Sequence, residues 1–267
     1  MSKRLPIGIF DSGLGGLTVL KKLQEAFPQE TFIYIGDTAH LPYGNKSKQA
    51  IIEYSELISK YLIKQKVKLI IVACNTASSL ALSILRQRFQ IGFIDVITPM
   101  SEALKHYQQY HKIGVIGTHN TVKSNAYYNI LAKHNPKLEI FQQACPLLVP
   151  LIEEDLHQGI IADLIIEKYL KNLIKNNIQV LILGCTHYPL IKESIKRVMG
   201  TQIIIIDSAT ATTEYLKEYL NNNQLLSSSK EQQDQIIITD QANNFESLAL
   251  KILNTNKLNL EILKITK

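Results

Sequence analysis

Two segments of the chain, LIIVAC (69–74) and VLILGC (180–185), are apolar at nearly every position instead of every second one. A strand wet on one face alternates apolar and polar residues, so a continuously apolar strand has to be covered on both faces. Helices flanking a parallel sheet provide that cover. Short β-rich runs near 7–10, 31–36, 68–73, 92–97, 113–117, 138–142, 180–184, 203–207 and 235–239 alternate with helix-length amphipathic patterns. The latter lie near 17–27, 48–65, 78–89, 101–110, 122–133, 159–176, 190–199 and 212–222. A helical pattern near 244–254 and a strand-like run at 258–265 close the series. The predicted class is α/β, doubly wound, with mainly parallel sheets.

The pattern also repeats. KLIIVACNTASS (68–79) resembles QVLILGCTHYPL (179–190): an apolar strand, a small residue, Cys, small hydrogen-bonding residues and a helix start. Cys185 follows Cys74 by 111 residues (185 − 74), and IGIFDSG (7–13) is echoed by IGVIGTH (113–119) at an offset of 106 (113 − 7). Recurrence at about half of 267 residues predicts two similar α/β halves, which the length allows. The polar stretch NNNQLLSSSKEQQDQ (221–235) breaks the rhythm, is poor in apolar anchors and reads as a mobile surface loop.

Composition and spacing remove several function classes. Hydrophobic residues make up 46% of the chain, enough for a buried core and too many for disorder. The net charge of +6 is spread along the chain, and no basic run with interleaved aromatics appears, so no nucleic-acid partner is expected. Three cysteines with no close pair form neither a disulfide framework nor a usual zinc pattern, and they point to a reducing, cytoplasmic location. The apolar runs are of strand length, and the one after the basic start is too short for a signal peptide, so no membrane association is expected. There is no GxxxxGK[ST] loop, and the DSGLGG loop has Thr18 where a dinucleotide fingerprint needs its last glycine. Its glycines instead read as shaping a small-ligand pocket with backbone N–H groups.

In parallel α/β sheets ligands bind outside the carboxyl ends of the strands, and Cys74 and Cys185 both hold that position. Thr76 or Ser78 can cap the helix after Cys74, and Pro189 suits the first turn after Cys185. A helix N-terminus favours the thiolate. A free cysteine is most often a small buried hydrophobe, but two at matching positions in two halves point to chemistry. Cys145, in QACPLLVPLIEED, lacks that context and is assigned a structural role. Two thiols on opposite faces of one small ligand suit a carbon acid: one thiolate takes a proton, the opposite thiol returns one, and the stereocentre inverts. His187, two residues past Cys185, can act as a general acid–base group or a thiolate stabiliser. Asp11, closing the first strand, can hold a substrate ammonium, assist Cys74, or cap a helix. A hydrolase using Cys185 and His187 is the rival from another class, and it leaves Cys74 dispensable.

Taken together, IGIFDSGLGGLTVL, YIGDTAHLPYG, IIVACNTAS, IGVIGTHNTVKSNAY, CPLLVPLIEE, LILGCTHYPLI and IDSA, spanning residues 7–209, resemble the glutamate racemases. These are cofactor-independent amino-acid racemases supplying D-glutamate to bacterial cell-wall synthesis. The resemblance implies no cofactor or metal and L-/D-glutamate as the small-molecule substrate. It implies that Cys74 and Cys185 are the two catalytic acid–base residues, with Asp11, Glu153 and His187 assisting near the thiols. Asp11 and Ser12, Pro42, Tyr43 and Gly44, Asn75 and Thr76, Thr118 and Thr121, and Thr186 and His187 fall on the family's substrate-contact motifs. It also implies two domains, 1–97 plus 209–267 and 98–208, with the ligand in the cleft between them. Two departures stand beside these motifs: His40 replaces a frequent Arg, and His119–Asn120 replace the commoner Pro/Lys-Ala. Another two-thiol racemase, for aspartate or hydantoins, and a binding protein on a degenerate racemase scaffold are the related alternatives. No self-complementary patch can be read from composition, so the oligomeric state stays open, with a homodimer as one option.

Overall fold

Every strand pairing in the computed structural model is parallel, and the strands divide between two sheets. The structure describes residues 3–242 and 244–265; the outermost residues of the expected first domain, with Asn243, lie outside that range. In chain order the strands are β1 (Ile7–Asp11), β2 (Phe32–Gly36), β3 (Leu69–Val72), β4 (Gly92–Asp95), β5 (Lys112–Gly117), β6 (Glu139–Ala144), β7 (Val180–Gly184), β8 (Ile204–Asp207), β9 (Gln235–Ile238) and β10 (Leu260–Ile262). The first sheet runs β10-β9-β2-β1-β3-β4 and the second β6-β5-β7-β8.

The order β2-β1-β3-β4 recurs as β6-β5-β7-β8, so the two sequence echoes are equivalent strands in equivalent places. In each sheet the chain reverses its winding direction at the central pair, β1/β3 or β5/β7, leaving a crevice at the carboxyl ends where flanking loops diverge. Cys74 follows β3 and Cys185 follows β7, at the two crevices. β1, β3 and β7 are buried at every position, as continuous apolarity requires. Helices Leu17–Ala26, Ser208–Asn222 and Phe245–Leu253 close one face of the first sheet, and Lys48–Lys64 with Leu82–Arg88 close the other.

Four helices start three or four residues earlier than the sequence pattern, close behind the strands. The helix expected at 78–89 begins at Asn75 with Cys74 as its N-cap residue, and divides at Ala81 into Asn75–Leu80 and Leu82–Arg88. The pattern at 122–133 begins at His119, where Thr118 Oγ1 accepts from Thr121 N, and breaks at Asn125, which is left-handed at φ +54°. The helix expected at 212–222 begins at Ser208, capped by Asp207. The pattern at 101–110 is a helix, Thr98–Ala103, with a 3₁₀ turn at Leu104–Tyr107. Capping satisfies orphan N–H groups and sets a helix start independently of where the apolar stripe begins. Periodicity also passes over the short helix Leu148–Glu153, which at six residues is too brief to display a period. The 221–235 stretch is better anchored than its composition suggests. The helix Ser208–Asn222 enters it, Leu225 and Leu226 pack on the core, and Ser227 is buried against Glu30 and Lys68.

Candidate active site

Both crevices open into one cavity of about 320 Å³, the low end of the usual range for small-ligand sites. The first sheet contributes Ser12, Pro42, Tyr43, Gly44, Cys74, Asn75 and Thr76 to its wall. The second contributes Thr118, Glu153, Cys185, Thr186 and His187. Asp11 and Thr121 are not among the lining residues: both are fully buried behind the wall. Asp11 accepts from Gly13 N at 3.0 Å and Thr186 Oγ1 at 3.3 Å, joining the loops that carry the two crevices. Thr121 Oγ1 completes a hydroxyl cluster in which Thr118 lies 2.9 Å from Thr76 and 2.9 Å from Thr121.

The two thiols have different surroundings. Burial, with the Asp11 carboxylate adding to it, pushes the Cys74 thiol up to about 12, while hydrogen bonds from Ala77 N–H and the Ser12 hydroxyl act in the opposite direction. Cys185 Sγ lies 3.9 Å from His187 Nδ1, and His187 Nε2 lies 3.0 Å from Glu153 Oε1. Burial works against a charged imidazole, but bonds to Cys185 and Glu153 outweigh it and raise His187 to about 10. Burial thus disfavours charge on the Cys74 sulfur, whereas the Cys185 sulfur has an imidazole nitrogen 3.9 Å away.

Glycines let the two lobes approach. A Cβ on Gly15 would stand 2.4 Å from both His187 Nδ1 and Thr186 Oγ1, so only glycine admits the β1 loop beside the second thiol. The DSGLGG loop thus packs directly on two residues of the cavity wall. Thr18 Oγ1 donates to Thr186 O at 2.9 Å across the same junction. Asn75 is tied to the second sheet by Tyr127 OH, which donates to Oδ1 at 2.6 Å.

Sequence reasoning missed part of the wall: Leu41, Asn45, His119, Pro146, Val149 and Pro150 line the cavity, and so does Cys145. Among the described residues Cys145 has no donor to its sulfur; its thiol donates to Gln143 O at 3.6 Å, and burial, then the nearby Cys185, push its pKa far upward. The missed residues come chiefly from the helix Leu148–Glu153 and its approach, the element without a periodic signal. His40, the first departure, stacks on Tyr54 at 3.9 Å and places Nδ1 2.9 Å from Asp37 Oδ1. Asp37 in turn accepts from Tyr43 OH at 2.5 Å and Thr239 Oγ1 at 2.7 Å, so His40 helps hold a wall residue from behind. No lysine or arginine lines the cavity among the described residues; its donors are hydroxyls, the Asn45 and Asn75 amides, the His119 and His187 rings and backbone N–H groups. Among the described residues no group of three or more His, Cys, Asp and Glu side chains could hold a metal ion. No helix among them is long and apolar enough to cross a membrane.

Residues 7–216 match the family model of the Asp/Glu/hydantoin racemases. The chain belongs to this family. A glutamate racemase of Sulfurihydrogenibium is 46% identical to this racemase-family chain over 245 residues, 91% of the chain and 92% of the relative. The glutamate racemase of Persephonella marina is 43% identical over 98% of both chains. The crystal structure of the Francisella tularensis glutamate racemase in complex with D-glutamate superposes with a TM-score of 0.91 at 39% identity, covering 98% of this chain and 97% of that one.

Proposed function

We propose that the chain is a glutamate racemase that interconverts L- and D-glutamate without a cofactor, Cys74 and Cys185 exchanging protons with Cα from opposite faces. The observation that carries this reading is the pair of thiols at the carboxyl ends of equivalent strands, β3 and β7, on one small cavity. One thiolate takes the Cα proton and the C–H electron pair passes into the adjacent carboxylate. The thiol opposite then gives its proton to the other face. The first sulfur ends protonated and the second as thiolate, so the reverse reaction runs over the same groups. A hydrolase built on Cys185 and His187 gives no role to Cys74, whose sulfur is supplied with two donors.

A substrate with two carboxylates suits the wall. Ser12, Asn75, Thr76 and Thr118, with backbone N–H groups, offer donors to both, and no lysine or arginine lines the cavity among the described residues. Exclusion of water strengthens a thiolate as a base, and closure of the two lobes, 1–97 with 209–267 and 98–208, would supply it. Three free thiols fit a reducing cytoplasm, where D-glutamate serves cell-wall synthesis. The test is the purified chain with D-glutamate in D₂O and no added cofactor. Decay of the optical signal with deuterium entering at Cα is the expected result. No exchange with D-glutamate but exchange with aspartate would move the substrate assignment within the family.

Glu153 and His187 set the alkaline limb. His187 is charged up to about 10, and a neighbouring carboxylate favours the charged imidazole. Removing that carboxylate lowers the pKa, so Glu153→Gln moves the alkaline fall of kcat/KM to lower pH. A pH–rate profile in which Glu153→Gln leaves the limb in place would remove Glu153 from this role.

A further inference from the structure

The second departure from the family pattern spans the cleft. Asn120 lies on the helix His119–Lys123, which follows β5 in the second sheet. Its Nδ2 donates to Tyr43 O at 3.1 Å and to Lys46 O at 2.8 Å, carbonyls of a segment that belongs to the first sheet's lobe. A carboxamide NH₂ has two hydrogens, and here each has a backbone acceptor. The segment between those carbonyls is the wall element that carries Tyr43 and Gly44. Beside the clamp the lobes meet closely: a Cβ on Gly44 would stand 2.9 Å from Thr118 Cβ, and Thr76 and Thr118 share a hydrogen bond at 2.9 Å. Asn120 itself does not line the cavity and touches neither thiol loop through these bonds.

We propose that Asn120 is a positioning residue: by holding the Tyr43 and Lys46 carbonyls across the cleft, it keeps the substrate-facing segment closed on the ligand and sets how tightly substrate is held. The inference rests on the racemase reading for its kinetic form. The two bonds exist only when the second lobe meets the 43–46 segment, so they stabilise the closed arrangement relative to an open one. The amide contacts no reacting atom, so its loss leaves the proton-transfer step as it was. The consequence is a split between KM and kcat.

The experiment compares wild type, Asn120→Ala and the isosteric Asn120→Asp, whose carboxylate offers no donor and faces two carbonyl oxygens. Both variants are expected to raise KM for D- and for L-glutamate about five- to tenfold, the scale of one or two lost hydrogen bonds, with kcat within about twofold of wild type. A second readout does not depend on the substrate: tryptic cleavage after Lys46, inside the clamped segment, should quicken about fivefold in both variants as closure weakens. Unchanged KM together with unchanged cleavage overturns the proposal, and so does a fall in kcat at constant KM. If Asn120→Ala fails to fold, the isosteric variant decides. A wild-type chain that racemises neither enantiomer of glutamate overturns the substrate assignment instead, and the clamp then stands or falls on the cleavage rates alone.

Discussion

Replacing either Cys74 or Cys185 with serine is expected to lower racemisation in both directions by about 10²–10⁴, the usual contribution of a positioned acid or base. A serine hydroxyl keeps the size of the thiol and can donate a hydrogen bond, but it is far too weak an acid and too poor a base for its half of the transfer. The surviving thiol can still take a proton from its own face and return it there. Each variant should therefore catalyse deuterium exchange without inversion in one enantiomer only, and the two variants should select opposite enantiomers. Proton NMR in D₂O with separate enantiomers reads this directly. Near-normal racemisation by Cys74→Ser would end the two-thiol mechanism and favour chemistry centred on Cys185 and His187. Cys145→Ser is the control. That thiol lines the cavity but has no donor to its sulfur among the described residues, whereas Ala77 and Ser12 face Cys74 and His187 faces Cys185. Its replacement should change turnover by less than about tenfold.

The second large effect is on stability and lies at the far end of the first sheet. Lys68 and Glu30 form an ion pair at 2.5 Å with both side chains wholly buried. Lys68 Nζ also donates to Lys3 O and Leu225 O, each at 2.8 Å, and Ser227 N donates to Glu30 Oε1 at 2.8 Å. The charges are thus compensated by the chain start and by the turn after the helix Ser208–Asn222. Glu30→Ala strands a buried ammonium, which should cost about 3–5 kcal/mol of unfolding free energy. Replacing both charges, as in Glu30→Leu with Lys68→Met, should cost less than the single change, because nothing charged is left without a partner. Urea unfolding of wild type and the two variants tests the ordering. A double variant less stable than Glu30→Ala would mean that packing, rather than an uncompensated charge, governs this site.

Strand burial, fold class and the equivalence of the thiol positions were all readable along the chain, because each rests on local chemistry. Continuous apolarity at 69–74 and 180–185 requires cover on both faces, and that requirement selects the parallel α/β class. A cysteine directly after such a strand stands at the carboxyl end of the sheet whatever the rest of the chain does, so local sequence alone suffices to place both thiols. The strand order recurs from one sheet to the other, in keeping with that repeat, but the order itself came from the structure.

Tertiary structure decided what depends on distant residues meeting. Asp11 looked like a wall residue but joins the loop after β1 to the Cys185 loop from behind, because the Thr186 hydroxyl reaches it from 175 positions away. Cys145 became part of the cavity because the approach to a six-residue helix, too short for a period, lies along its wall. The polar 221–235 stretch is anchored where Leu225 and Leu226 pack on the core and Ser227 meets a buried ion pair whose members are 38 residues apart. Asn120 differs from the family pattern in the sequence, yet its use emerges only where its amide meets two carbonyls more than seventy residues earlier in the chain. Periodicity reports which face of one element is dry, whereas a hydrogen bond between lobes is set by how the elements pack, and no local pattern encodes that distance.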